Sequence, residues 1–135
     1  MELNNRKMGV TLSLLVTFIL VTSISCATEE KITGVYSSLS FNVEGGDLLG
    51  EEFFLVRTRN GYQATFQISE GGPSELMLVD VAIKENNISF EIKKGIYAGS
   101  FVGKIINQKI VGKLRFSDGV ENELSLPKVK YSYWQ

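Results

Sequence analysis

The chain has 135 residues, the size of one domain, with 14 basic and 15 acidic residues, no histidine and one cysteine. These counts exclude a serine–histidine triad, a cysteine–histidine pair, an imidazole-bound zinc and an intrachain disulfide. The formal charge of −1 gives no overall basic footprint for nucleic acid, while two prolines and 44% apolar residues indicate a folded chain.

Arg6 and Lys7 form a short positive head, partly opposed by Glu2. Residues 8–27 carry no charge. Leu12, Leu14, Leu15, Val16, Phe18, Ile19, Leu20 and Val21 supply an apolar middle, and Thr22, Ser23, Ser25, Cys26 and Ala27 a small-residue end. Positive head, apolar middle and small end are the three parts of a secretory signal. An uncleaved membrane anchor is the alternative, because the uncharged stretch approaches the roughly 20 residues that span a bilayer. Its hydroxyl residues and small end favour cleavage. Ser25-Cys26-Ala27 suits a cut after residue 27.

Thr22-Ser23-Ile24-Ser25-Cys26 also resembles a permissive bacterial lipobox, departing from it at Ser23, where leucine is typical. This resemblance implies that residues 1–25 are a signal peptide and that Cys26 is the lipidated first residue of the mature chain. It implies a bacterial envelope lipoprotein held to a membrane by an acyl anchor, with 26–31 as a short tether. Ala27 and Thr28 carry no aspartate of the kind associated with inner-membrane retention. Without lipidation the chain is expected to be periplasmic or secreted. A free thiol has little use in an exported domain, which favours the anchored reading.

From residue 32 to residue 135 the chain reads as one domain of short strands, large enough to bury roughly 60% or more of its unfolded surface. Tyr62, Ala64, Phe66 and Ile68 alternate with Gln63, Thr65, Gln67 and Ser69. Ile88, Phe90 and Ile92 do the same, as do Ile110, Gly112, Leu114 and Phe116. Period-two alternation marks half-buried strands. The segments around Phe53-Phe54 and Met77–Ile83 are apolar on both faces, which suggests burial on both sides or a covered outer face. Turn residues separate the runs: Glu44–Asp47, Arg59-Asn60-Gly61, Glu70–Ser74, Glu85-Asn86-Asn87, Lys94-Gly95, Asn107-Gln108 and Ser117–Gly119. Asn60-Gly61 is expected at the centre of a type I′ hairpin.

The predicted strands are 32–43, 48–58, 62–69, 76–84, 87–93, 96–106, 109–117 and 120–127, the last with a possible continuation to residue 134. Short connections make them an all-β antiparallel up-and-down meander. Closure into a barrel removes two open edges, and such a ring is just wide enough for side chains or one small ligand. An open meander or a β-sandwich is the alternative.

Residues 99–116, with Gly99, Gly103 and Gly112 beside Phe101, Ile105, Leu114 and Phe116, resemble hairpins of calycin-type barrels, the lipocalin-like and avidin-like proteins. Gly34-Val35-Tyr36 is similar to the Gly-x-Trp opening of those families, with tyrosine at the aromatic position. The likeness is architectural and implies a closed eight-stranded barrel, in which Tyr131, Tyr133 and Trp134 could pack near Tyr36. It carries over no ligand residues.

Glu51 and Glu52 are adjacent in a strand, so they point to opposite faces and form no carboxylate pair. Asp80, between Val79 and Val81, either faces the lumen as a polar ligand contact or faces outward and interrupts an aggregation-prone run; the outward reading is favoured. Asp47 and Asp118 fit backbone-capping roles in turns, without the spacing of a calcium loop. Residues 45–50 do not lead from a buried strand into a helix, so they make no phosphate cradle. Lys104, Lys109, Lys113 and Arg115 make the last hairpins basic, with acidic neighbours at Glu85, Glu91, Glu121 and Glu123. Weak contact with anionic headgroups is possible there if Cys26 is acylated.

The expectation is therefore a non-catalytic envelope module that binds a small apolar or amphipathic ligand in its lumen, through Tyr36, Asp80, Phe101 and Arg115. The alternative is a protein-interaction or inhibitor module of the envelope, with the Gly71-Gly72-Pro73 loop as one contact. An enzyme without histidine is a third reading that no constellation supports. No catalytic residue, metal ligand, cofactor or nucleic-acid partner is expected.

Overall fold

A computed structural model describes residues 31–135. The expected signal segment 1–25, the alternative cut after 27, Cys26 and most of the expected 26–31 tether lie outside the described residues. No helix among the described residues is long and apolar enough to cross a membrane.

The strands are β1 (Gly34–Ser37), β2 (Ser40–Asn42), β3 (Asp47–Thr58), β4 (Gly61–Gly71), β5 (Met77–Lys84), β6 (Asn87–Ile92), β7 (Gly99–Ile106), β8 (Lys109–Phe116) and β9 (Glu121–Val129). Every pairing is antiparallel, between chain neighbours apart from β1 with β3 and with β9. The sheet therefore closes, as expected, into an eight-stranded barrel with one extra short strand.

That extra element is a break in the first predicted strand. Ser37 faces Glu52 and Ser40 faces Leu49, so the register against β3 runs unchanged through the gap. At Ser38 the side chain takes over part of the ladder: its hydroxyl accepts from the Glu51 amide at 3.0 Å and donates to the Glu51 carboxylate at 2.8 Å. Serine competes for backbone partners in this way.

Two further boundaries differ from the sequence pattern. The predicted strand at 96–106 begins only at Gly99, because Ala98 donates back to the Gly95 carbonyl in a turn. The β3–β4 hairpin is centred on Arg59-Asn60, since Thr58 pairs with Gly61. The positive φ, 122°, falls on Gly61 as the first residue of β4 and not inside the turn. Thr58 holds the corner by donating to the Gly61 carbonyl at 3.0 Å and accepting from the Asn60 amide at 3.2 Å. Asn107 and Gln108 both take positive φ, which suits the two-residue hairpin between β7 and β8.

Cross-strand partners share a face, so the register defines the interior all round the ring. Tyr36, Phe53, Phe66 and Met77 form one inward row, while Val81, Phe90, Phe101 and Leu114 form another. The barrel seam is short: Val35 faces Val129 and Tyr36 faces Lys128. Lys128 secures it by donating its ammonium to the Lys31 carbonyl and lying 5.8 Å from the centre of the Tyr36 ring.

The interior is filled by aromatic rings. Phe90 stacks on Phe53 at 5.1 Å and on Phe101 at 5.0 Å, and meets Phe66 edge-on at 5.4 Å. Leu55, Ile88, Ile110, Leu114 and Leu126 close around them, all almost fully buried. Phe101 extends over the facing glycines Gly103 and Gly112. A Cβ at Gly112 would stand 2.4 Å from the Val102 carbonyl oxygen and 2.7 Å from the Phe101 ring. The absence of side chains at this pair lets the ring and the β7–β8 hairpin pack closely.

Candidate functional site

The four residues singled out as ligand contacts are divided by the barrel wall. Tyr36 and Phe101 point inward and are fully buried. The Tyr36 hydroxyl donates to the Ile32 carbonyl at 2.5 Å, and Phe101 is part of the phenylalanine stack. Asp80 and Arg115 point outward and are exposed. Asp80 accepts from the Gln63 side chain at 2.9 Å across the β4–β5 ladder, as its favoured outward reading anticipates. Arg115 donates to Glu121 through both Nε and a terminal nitrogen. The pairing with Arg115 holds the Glu121 carboxyl below the usual glutamate range.

The outer wall has its own organisation. Glu52 and Gln67 face each other on neighbouring strands and point outward, yet both are buried. The C-terminal tail covers them. Ser132 donates its hydroxyl to Glu52 at 2.5 Å, the Tyr133 amide donates to the same carboxylate at 3.0 Å, and the Trp134 indole donates to Gln67 at 3.0 Å. Gln67 in turn donates to the Ser74 carbonyl at 2.7 Å, tying in the β4–β5 loop. The aromatic tail thus docks on the outside of β3 and β4, whereas Tyr36 lies inside.

Beside this latch runs an apolar outer row. Val129 faces Val35, Val35 faces Phe54, Phe54 faces Thr65 and Thr65 faces Leu78. Phe54 is 44% exposed and Leu78 72%, and Tyr133 and Trp134 remain partly exposed over the adjoining Glu52–Gln67 pair. Phe54 was legible as the second half of the Phe53-Phe54 doublet. The docked tail was not, because the glutamate and glutamine that receive it look like ordinary solvent-facing positions of an alternating strand.

Shallow depressions lie along the wall and rim. One, of about 360 Å³, lies between the ends of β5 and β6, where Met77, Leu78, Asp80, Glu91, Lys93 and Lys94 meet. Another, of about 290 Å³, gathers Glu70, Tyr97 and Phe116 at the rim. There burial, reinforced by the Glu70 carboxylate 3.4 Å from its hydroxyl, raises the Tyr97 phenol above its ordinary value. Among the described residues no group of three or more histidine, cysteine, aspartate or glutamate side chains is placed to hold a metal ion.

No protein-family model matches the chain, and comparison with curated proteins and with solved structures finds no match.

Proposed function

We propose that this chain is an exported, lipid-anchored, non-catalytic binding module of the bacterial cell envelope that recognises a protein partner through its outer wall. The observation that carries this reading is where the apolar surface lies. Phe53, Phe66, Phe90 and Phe101 occupy the barrel interior at ring spacings of 5.0–6.0 Å, while Phe54 and Leu78 stand in one exposed outer row. A small barrel of this type is filled by its own side chains, and an apolar strip beside aromatic and polar groups suits a protein interface. Export and acylation at Cys26 rest on the signal-like N-terminus and its resemblance to a lipobox.

The test is a photo-crosslinker placed at Leu78 in the full chain, in the cell that makes it. A covalent adduct with another protein at Leu78, and none from the same probe at the opposite-wall residue Ser125, supports the proposal. Monomer alone at both positions overturns it. A small molecule retained one-to-one by the purified protein would favour a lumen ligand instead.

A further inference from the structure

We propose that one end of the barrel is a docking surface for anionic lipid headgroups, so that the domain sits upright on its membrane with the opposite end facing away. The strand directions sort the charges. β3, β5, β7 and β9 all run toward one end, and β1 begins there. That end carries Arg57, Arg59, Lys84, Lys104, Lys109 and Lys130, all exposed, with Glu85 as the acidic residue among the described residues there. The other end carries Glu44, Asp47, Glu70, Glu75, Asp118 and Glu121. Lys93, Lys94, Lys113 and Arg115 are the cations of that half. The described residues hold 12 basic and 12 acidic groups, a balance that conceals a basic end and an acidic end of the barrel.

The cations of the basic end are available. Both ion pairs among the described residues, Lys113 and Arg115 with Glu121, lie in the acidic half. Lys84, Asn87 and Lys104 form one outward row across β5, β6 and β7. Lys109 faces Ile106, which is 45% exposed, and the Lys130 ammonium lies 4.9 Å from the ring centre of Tyr131, which is 60% exposed. Lysines flanking a few exposed apolar and aromatic side chains match the level of a bilayer where headgroups meet acyl chains.

The covalent chain selects a membrane as the occupant. Lys31 lies at this same end, joined to a preceding segment that includes the uncharged run 8–27. Whether that run is retained or replaced by an acyl group on Cys26, Lys31 at the basic end is its covalent link to the barrel, through Glu29 and Glu30, two carboxylates against the six cations of that end. The inference rests on the anchored reading only for this entry point, and it needs no protein partner.

The test measures partitioning of the full chain onto phosphatidylcholine vesicles and onto vesicles with about one third phosphatidylglycerol, at low and high salt. An apolar anchor binds both; the basic end adds a preference for the anionic vesicles that salt suppresses. Arg59→Gln, Lys84→Gln, Lys104→Gln and Lys109→Gln together are expected to lower that preference at least about tenfold. Lys93→Gln, Lys94→Gln, Lys113→Gln and Arg115→Gln, an equal change of charge at the other end, are expected to leave most of it. Circular dichroism verifies folding, and the Arg59/Lys84 and Lys104/Lys109 pairs serve separately if the fourfold variant does not fold. Equal binding to both vesicles, equal loss in both variants, or displacement by millimolar inorganic phosphate at constant ionic strength overturns the proposal. Because the assay contains no protein partner, its failure is distinct from failure of the crosslink at Leu78.

Discussion

Trp134 donates its indole N–H to Gln67, 67 residues earlier in the chain, and so pins the C-terminal tail to the outside of the barrel. Ser132 and Tyr133 do the same at Glu52, a buried carboxylate that depends on them for its donors. A buried acceptor that loses its partner costs more than an ordinary surface contact. Ser132→Ala is expected to destabilise the fold by about 1–3 kcal/mol, and Trp134→Phe by about 1 kcal/mol. Urea denaturation followed by circular dichroism measures both. No shift of the midpoint in either variant would mean that the tail is not part of the folded unit.

The facing pair Gly103 and Gly112 makes a sharper prediction. Gly112→Ala brings a methyl group against the Val102 carbonyl, the Gly103 backbone and the Phe101 ring, and the two backbone groups cannot move without opening the β7–β8 ladder. A loss of about 3 kcal/mol is expected. Trimming the ring with Phe101→Leu should recover little of it, because the backbone contact remains. Gly72→Ala, where an added Cβ meets nothing within 4 Å, is the control and should lie within about 0.5 kcal/mol of the parent.

Phe90 touches three other phenylalanine rings in the interior. Phe90→Ala should cost about 3–5 kcal/mol and leave an apolar cavity. Such cavities stay dry and accept small aromatic molecules. Benzene should therefore stabilise the Phe90→Ala variant in thermal unfolding and leave the parent unchanged. Equal stabilisation of both would show that the parent interior already has room for a ligand.

Arg115 and Glu121 set a pH and salt dependence. The Glu121 carboxyl is held below its ordinary value in the folded chain, so the pair contributes stability above the unfolded glutamate range. That contribution is lost as pH falls through the lower folded value. It should be small, because both side chains are exposed, and high salt should weaken it. Glu121→Gln should flatten this part of the acid limb of the unfolding curve; an unchanged limb would mean that the pair is not maintained in solution.

The strand pattern was readable because it depends on period-two alternation and turn residues, which are local. Phe90 between Ser89 and Glu91, or Leu114 between Lys113 and Arg115, assigns its own face without knowledge of the rest. Closure of the meander follows from strand number and short connections, and it is observed at Val35–Val129 and Tyr36–Lys128. The break at Ser38 was not readable, because it depends on a hydroxyl that meets Glu51 only after β1 and β3 pair. The same holds for the Glu52–Gln67 latch, whose partners are remote in sequence. The grouping of Tyr36, Asp80, Phe101 and Arg115 relied on residue type; strand parity separates them, with two inside and two outside. The charge asymmetry was hidden for a related reason. Lys104 and Lys109 read as one basic stretch with Lys113 and Arg115, but strand direction sends the first two to the basic end and the last two to the acidic half.

The central claim is that the barrel is filled by its own side chains and acts from its outer wall at a membrane. Native mass spectrometry of the protein isolated from the cell that makes it tests this most directly. The account predicts a chain beginning at an acylated Cys26, with no small molecule held to the folded domain. A chain that carries an apolar molecule one-to-one through purification would contradict it, and one that retains residues 8–25 would contradict acylation at Cys26.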